Sequence, residues 1–116
     1  MKGKIREKQR QMASRSMMQN VPNEDVVIRN PTHFAVALGY DAGKNRAPVV
    51  LAKGADHLAL KIVEVAEARG VYIMEDRPMA RGLYDKVEVD MEIQEEYYQT
   101  VAQILAFVYK LQKKDM

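Results

Sequence analysis

Two apolar runs separated by four residues constrain the fold of this chain more than any other feature. Asp25-Val26-Val27-Ile28-Arg29 and Phe34-Ala35-Val36-Ala37-Leu38 have the composition of strands, and Asn30-Pro31-Thr32-His33 lies between them. Asn is favoured at the first position of a β-turn, and Pro presets the backbone of the second. The segment therefore predicts one strand over 25–29, a tight turn (the Asn-Pro turn, residues 30–33) and a second strand over 34–40.

The Asn-Pro turn also has a specific chemical reactivity. Asparagine usually decays when the backbone nitrogen of the next residue attacks the side-chain amide, but proline has no N–H with which to do so. The reverse attack remains, in which the Asn30 side-chain nitrogen attacks the Asn30 carbonyl carbon, closes a succinimide and releases Pro31 as a free amine. Histidine exchanges a proton near neutral pH, so His33 could polarise the carbonyl or protonate the leaving nitrogen. An ordinary turn and a self-cleaving turn both fit these residues.

The remainder of the chain predicts a small α/β domain. Strands covered on both faces are typically continuous apolar runs, and both runs beside the turn have this character. The further predicted elements are a strand over 49–53, a helix from its N-cap Asp56 to Arg69, a strand over 71–75, a helix over 78–84 and a helix over 94–113. The strand–helix–strand unit should be parallel and right-handed. We therefore expect a mixed four-stranded sheet covered by helices.

Residues 1–20 differ in charge from the remainder of the chain. They contain six basic residues and one acidic residue, whereas the remainder contains twelve basic and fifteen acidic residues. Good helix formers with few apolar positions predict a protruding helix over 5–19, and the punctuation at 20–23 places the globular part at 21–116. A basic arm admits nucleic acid as a partner. The arm has no aromatic residue for stacking on bases, so we expect no nucleic-acid partner.

The last predicted helix has a wider apolar arc than docking requires. Val101, Ile104, Leu105, Val108 and Leu111 form one stripe at 100° per residue. Four further residues extend the arc: Tyr98, Ala102, Ala106 and Tyr109. A broader contact with the core is the common explanation of such an arc. The alternative is a partly open groove with an alanine floor that accepts a segment of a partner.

Several classes of functional site have no counterpart in this sequence. The chain has no cysteine, its two histidines have no zinc-site spacing, and its glycines do not form a phosphate-binding loop. No run approaches the ~20 apolar residues that span a bilayer. His57 is expected to be an exposed residue of a first helical turn, and Lys53 is expected to reach solvent at a strand end. We therefore expect no metal, no cofactor and no active site with turnover.

The chain resembles the cytoplasmic domain of the FlhB/YscU family, the substrate-specificity switches of flagellar and injectisome type III export. The resemblance covers nearly the whole chain and is carried by blocks in a fixed order: Lys2-Gly3-Lys4-Ile5-Arg6, Val21-Pro22, Asn30-Pro31-Thr32-His33, Ala52-Lys53-Gly54-Ala55, Pro78-Met79-Ala80-Arg81-Gly82-Leu83-Tyr84 and Val101-Ala102-Gln103-Ile104-Leu105-Ala106. The family tends to have Pro where Gln94 stands, and Gly is frequent at the position of Asp90.

The resemblance implies both a reaction and a binding surface. Asn30, Pro31, Thr32 and His33 match the self-cleavage motif of the family, with the cut between Asn30 and Pro31. This would be a single intramolecular event, and the domain would not be an enzyme. The surface that recognises export substrates is carried over to four positions: Ala47, Pro48, Ala102 and Leu105.

The resemblance also implies a biological setting. Residues 1–20 would be a basic linker that follows a membrane span, so the chain would be the cytoplasmic part of a longer inner-membrane protein. Its partners would be export substrates, a hook- or needle-length control protein and other components of the export gate. Flagellar members fit better than injectisome members, and cleavage would switch export from rod and hook to filament substrates. The alternatives are an injectisome homologue and an uncleaved binding module that contacts RNA through the basic arm.

Overall fold

The computed structural model describes residues 25–31 and 33–114, and this part of the chain has the predicted α/β class. Its strands are β1 (Val26–Asn30), β2 (Phe34–Gly39), β3 (Val49–Ala55) and β4 (Tyr72–Glu75). Its helices are α1 (His57–Ala68), α2 (Arg77–Lys86) and α3 (Tyr98–Lys114), with a 3₁₀ turn at Glu95–Tyr97 before α3. The predicted N-terminal helix and the punctuation at 20–23 lie outside the described residues.

The four strands form one mixed sheet in the order β3-β2-β1-β4. β2 runs antiparallel to both β1 and β3, whereas β4 runs parallel to β1. β3 and β4 are therefore parallel, as predicted, but they lie at opposite edges of the sheet. The 12 residues of α1 make this crossing possible, because they span ~18 Å while three strand spacings amount to ~14 Å. The handedness of the crossing stays a prediction.

Apolar residues cover both faces of the sheet, which confirms the prediction for β1 and β2. Val26 and Ile28 pack with Val36 and Leu38 against α2 and α3. Val27 points to the opposite face, where it joins the alanines of β2 and β3 against α1. The side chains of a strand alternate between its two faces, so a continuous apolar run supplies two cores at once. Val26–Ile28 of β1 and Ala35–Leu38 of β2 are consequently held by packing on both sides.

The ends of α1 agree with the sequence at one end only. Gly70 follows the predicted last residue, Arg69, with φ 72°, and the Val71 N–H donates to the Ala66 carbonyl at 2.9 Å, which is a left-handed termination typical of glycine. Asp56 does precede the first helical residue, but its side chain accepts no capping hydrogen bond. Its backbone has φ 52° and ψ −116°, whereas a capping residue normally lies in the β region. The predicted capping role of Asp56 is therefore wrong.

α2 and α3 cover the face of the sheet opposite α1. α2 begins at Arg77 because the Asp76 carboxylate accepts a hydrogen bond from the Met79 N–H at 3.0 Å. The predicted stripe of α3 is buried at Val101, Ile104, Leu105 and Val108. Leu111 is 37% exposed, so the stripe leaves the core before the helix ends.

Candidate functional site

The Asn-Pro turn connects β1 to β2 as a closed β-turn, which confirms the prediction of a tight turn at this place. Asn30 is the last residue of β1 and pairs with Phe34, the first residue of β2. The His33 N–H donates to the Asn30 carbonyl at 3.1 Å, so the turn is closed around Pro31. Thr32 lies outside the described residues. The structure thus brings together three of the four predicted residues of the self-cleavage motif.

The carbonyl that closes the turn is the one that cyclisation of Asn30 would attack. A hydrogen bond to a carbonyl oxygen draws electron density from the carbon and stabilises the negative charge that forms on attack. His33 makes this contact with its backbone. Its side chain is exposed, and its ring centroid lies 6.1 Å from that of Phe34. The sequence pointed to the imidazole of His33, whereas its backbone N–H makes the contact with the Asn30 carbonyl.

A second backbone contact fixes the Asn-Pro turn from the side of β3. The Asp56 N–H donates to the His33 carbonyl at 2.9 Å, one residue beyond the pairing of Phe34 with Ala55. Asn30, Pro31 and Asp56 also line one open groove of about 340 Å³ next to α1. This contact could not be predicted from residue types, because any residue except proline supplies a backbone N–H.

Two sequence blocks of the resemblance meet beneath β2. The Lys53 ammonium donates to the Tyr84 carbonyl at 2.9 Å and lies 3.6 Å from the Glu88 carboxylate. The Tyr84 ring packs on that of Phe34 with centroids 4.8 Å apart. The side chain of Lys53 is 16% exposed, so the expectation that it reaches solvent is wrong. The last carbonyls of a helix lack intrahelical hydrogen-bond partners, and Lys53 donates a hydrogen bond to one of them at the end of α2.

The four positions carried over as a substrate-binding surface also meet in one place. Ala47, Pro48, Ala102 and Leu105 line an open groove of about 360 Å³ between α3 and the loop before β3. We call it the tyrosine groove, because three tyrosines complete its lining together with Arg46 and Ala106: Tyr40, Tyr98 and Tyr109. Ala47 and Leu105 are buried, whereas the tyrosines are 37–41% exposed. The groove therefore has an apolar floor and an amphipathic rim.

An acidic residue organises one end of the tyrosine groove. The Asp25 carboxylate accepts a hydrogen bond from the Tyr40 N–H at 2.9 Å. Burial raises the pKa of the Tyr109 phenol above its ordinary value of 10.0, and the Asp25 carboxylate raises this pKa further. A negative charge close to a phenol disfavours the phenolate. Tyr109 therefore keeps its hydroxyl proton, and with it the ability to donate a hydrogen bond, over the whole physiological pH range.

The second histidine lies close to the Asn-Pro turn. His57 is an exposed residue in the first turn of α1, as expected, and it lines the same open groove as Asn30 and Pro31. Within residues 25–31 and 33–114, no three side chains of His, Cys, Asp or Glu are grouped as metal ligands. Each helix in the same part of the chain is too short or too polar to span a bilayer.

Comparison with known proteins places the chain in a family. Residues 1–108 match the model of the FlhB HrpN YscU SpaS Family. The flagellar biosynthetic protein FlhB of Bacillus subtilis is 54% identical over 113 residues, which are 97% of this chain and 31% of that protein. FlhB of Salmonella typhimurium is 46% identical over 112 residues, 97% of this chain and 29% of that protein. The chain thus spans about a third of the length of these relatives.

Solved structures agree with this placement. The crystal structure of the cytoplasmic domain of FlhB from Shewanella putrefaciens has a TM-score of 0.82 at 42% identity, covering 88% of this chain and 78% of that one. An asparagine-to-alanine variant of the EscU C-terminal domain has a TM-score of 0.77 at 33% identity, covering 80% and 93%. The family model, the relatives and the fold agree, and the chain therefore belongs to the FlhB/YscU family.

Proposed function

We propose that this chain is the cytoplasmic domain of a flagellar export-gate component that cleaves itself between Asn30 and Pro31. The observation that carries the proposal is the closed Asn-Pro turn, in which the Asn30 carbonyl already accepts a hydrogen bond from the His33 N–H. Such a donor favours the negative charge that forms on this oxygen when the carbon is attacked. Cleavage would commit the export gate to a change from rod and hook substrates to filament substrates.

The reaction forms one bond and breaks one bond within the turn. The Asn30 Nδ2 attacks the Asn30 carbonyl carbon, and the carbonyl oxygen takes up negative charge in a tetrahedral intermediate. The intermediate collapses when the bond between that carbon and the Pro31 nitrogen breaks. One proton leaves Nδ2 and one proton reaches the Pro31 nitrogen, so the products are a C-terminal succinimide and a secondary amine. Water later opens the succinimide.

Positioning accounts for most of the rate that this reaction needs. If unaided cleavage takes years and the folded domain cleaves in minutes, the barrier is lower in the domain by ~7 kcal/mol. Holding an attacking group against its target contributes ~7–11 kcal/mol in well-oriented cases. Asn30 is held by its pairing with Phe34, and the turn is closed by His33. The His33 imidazole then has a supporting role as the general acid for the Pro31 nitrogen, which adds ~10²–10⁴-fold.

The tyrosine groove is the proposed binding surface for export substrates. Its floor of Ala47, Ala102 and Leu105 suits an apolar side chain, and its tyrosine rim offers hydroxyl groups to a peptide backbone. The further proposed partners are a hook-length control protein and other components of the export gate. We propose that the full-length protein spans the bacterial inner membrane and presents this domain on the cytoplasmic face. The flagellar assignment is supported by the names of the relatives.

Denaturing gel electrophoresis with intact mass measurement tests the proposal. The purified chain should give two fragments, 1–30 and 31–116, and Asn30→Ala should give a single intact chain with the same circular dichroism spectrum. Two fragments from Asn30→Ala would identify a contaminating protease. An intact wild-type chain would contradict self-cleavage and leave a stable binding module in which the Asn-Pro turn is only a turn.

A further inference from the structure

Both main-chain hydrogen-bonding groups of His33 are occupied. Its N–H donates to the Asn30 carbonyl at 3.1 Å, and its carbonyl accepts from the Asp56 N–H at 2.9 Å. The first of these hydrogen bonds is made to the carbonyl that cyclisation of Asn30 would attack. The second bond ties the same residue to the junction between β3 and α1. The position of the donor on the Asn30 carbonyl is therefore set from outside the turn.

Asp56 has a backbone conformation that most residues avoid. Its φ of 52° and ψ of −116° are those of the first central residue of a type II′ turn, where glycine is usual. Within the described residues, Asp56 and Asp90 are the two that combine a positive φ with a side chain. Such conformations cost free energy and persist where the surrounding structure holds them.

The local structure of α1 does not account for this conformation. The Asp56 side chain makes no capping hydrogen bond, although this is the usual function of aspartate before a helix. The Asp56 carbonyl accepts from the Leu60 N–H at 3.1 Å and so begins the helix, while its N–H points back to His33. The unusual φ allows one residue to start α1 and to hold the Asn-Pro turn.

We propose that Asp56 is a positioning residue for the cleavage of the Asn30–Pro31 bond. Its backbone N–H fixes the His33 carbonyl and thereby keeps the His33 N–H on the Asn30 carbonyl as the tetrahedral intermediate forms. The role belongs to the backbone of Asp56, and its carboxylate is not required. This inference rests on the proposed function, because it concerns the rate of the proposed reaction.

The test compares three variants during cell-free synthesis of the full 116-residue chain, with fragments followed on denaturing gels. Asp56→Gly removes the carboxylate and relaxes the backbone, so its cleavage rate should stay within about twofold of wild type. Asp56→Val places a β-branched side chain at a positive φ and should slow cleavage about tenfold or more. The matched control is Asp90→Val, the same substitution at the other residue of this kind, which has φ 72° and whose N–H donates to the Val50 carbonyl at 2.7 Å. It should cleave at the wild-type rate once folded.

Amide hydrogen exchange in the Asn30→Ala background provides a readout that does not depend on cleavage. Asp56→Val should lose protection at residues 33 and 56 together, whereas Asp90→Val should keep protection at both. Slow cleavage of Asp56→Gly would overturn the inference, as would equal slowing by the two valine variants or unchanged protection in Asp56→Val. A wild-type chain that never cleaves would instead overturn the proposed function itself.

Discussion

His33 contacts the Asn30 carbonyl through its backbone, so the substitution of its side chain separates two contributions to cleavage. His33→Ala keeps the N–H that closes the turn and removes the imidazole. We expect cleavage to slow by ~10²–10⁴-fold and not to stop, because general acid assistance accounts for about this factor. The measurement is fragment formation at 37 °C, followed from hours to weeks. His57→Ala, which removes the other histidine of the chain, should cleave like wild type.

A folded His33→Ala chain with no cleavage over months would contradict this ranking. The imidazole would then be essential, and the contribution of the closed turn would be smaller than proposed. Unfolding in urea should stop cleavage of the wild-type chain in either case, because the turn is held by β1, β2 and the Asp56 N–H.

The phenol of Tyr109 reports on the acidic end of the tyrosine groove. Asp25→Asn removes a negative charge that raises the pKa of Tyr109. The pKa should therefore fall towards its ordinary value but stay above it, because burial is the larger cause. Titration by NMR with labelled tyrosine measures this change. Asp41→Asn, in the exposed loop that follows Tyr40, should leave the titration of Tyr109 unchanged.

Asp90 illustrates how the residue type at a position can indicate the backbone conformation there. The family resemblance showed that glycine is frequent at this position, and the structure gives the reason: φ is 72°, where a side chain is disfavoured. Asp56 has the same property, yet its sequence context is that of an ordinary helix cap. A backbone dihedral set by distant contacts is not encoded in the residues next to it, so the sequence could not predict the second case.

At the scale of elements, Lys53 connects β3 to the end of α2. Lys53→Met keeps most of the apolar contact but removes the hydrogen bond to the Tyr84 carbonyl and the ion pair with Glu88. The free energy of unfolding should fall by ~1.5–3 kcal/mol, the range for a hydrogen bond that involves a charged group. Urea unfolding in the uncleavable Asn30→Ala background measures this change.

Lys86→Met is the matched control for Lys53→Met. Lys86 pairs with Glu96 at 3.1 Å but its side chain is 49% exposed, so water can replace the partner. Lys86→Met should therefore lower the free energy of unfolding much less than Lys53→Met does. Equal decreases in the free energy of unfolding would show that the partial burial of Lys53 does not strengthen its contact with α2.

The strands and helices were largely predictable from the sequence, whereas the order of the strands and the contacts between distant elements were not. Apolar runs and helical periodicity are local signals, and they located all four strands and three helices of the described residues within a few positions. The separation of β3 from β4 depends on where the β1–β2 hairpin inserts, which is a property of the whole sheet. The same holds for Lys53, whose partner on α2 is 31 residues away.

The Asn-Pro turn and the tyrosine groove differ in how far the sequence predicts them. The residues of the Asn-Pro turn are consecutive, so a motif predicts them directly. The tyrosine groove joins residues that are far apart in sequence, and Ala47, Pro48, Ala102 and Leu105 came from the family resemblance. The apolar arc of α3 indicated one wall, at Tyr98, Ala106 and Tyr109, because it is wider than one docking face. Tyr40 had no local signal.

At the scale of the whole molecule, the strand order predicts that cleavage does not separate the fragments. β1 belongs to fragment 1–30 and lies between β2 and β4, which both belong to fragment 31–116. Val26, Val27 and Ile28 are fully buried, and each contributes ~1.5–3 kcal/mol by its removal from water. The fragments should elute together in size exclusion without denaturant and separate in urea. Separate elution under native conditions would contradict the predicted association.

The distance between the two sites predicts which partners detect cleavage. β2 begins beside the Asn-Pro turn and leads into Tyr40 of the tyrosine groove, and its six residues span ~20 Å. A short apolar peptide that fills only the groove should bind the cleaved and Asn30→Ala domains with nearly equal affinity. A length-control protein that also contacts the turn should bind the two forms with affinities that differ ~5- to 150-fold, which corresponds to a coupling of 1–3 kcal/mol.

Calorimetric titration of both ligands against both forms measures this difference. Equal affinities for the short peptide serve as the internal control, because they show that the core fold is shared. Equal affinities for every ligand would mean that the cut is a by-product of a reactive turn and carries no information to a partner.

The central position of β1 also has a mechanical consequence. Once the Asn30–Pro31 bond is cut, β1 is the only described part of fragment 1–30 in the sheet, and it is bonded to a strand on each side. A force applied at Val26 along the axis of β1 must shear the hydrogen bonds to β2 and β4 together. A strand at the edge of the sheet that is pulled sideways opens one bond at a time. The cut domain would therefore resist tension directed along β1, and it would yield to a force that peels β4 from the edge.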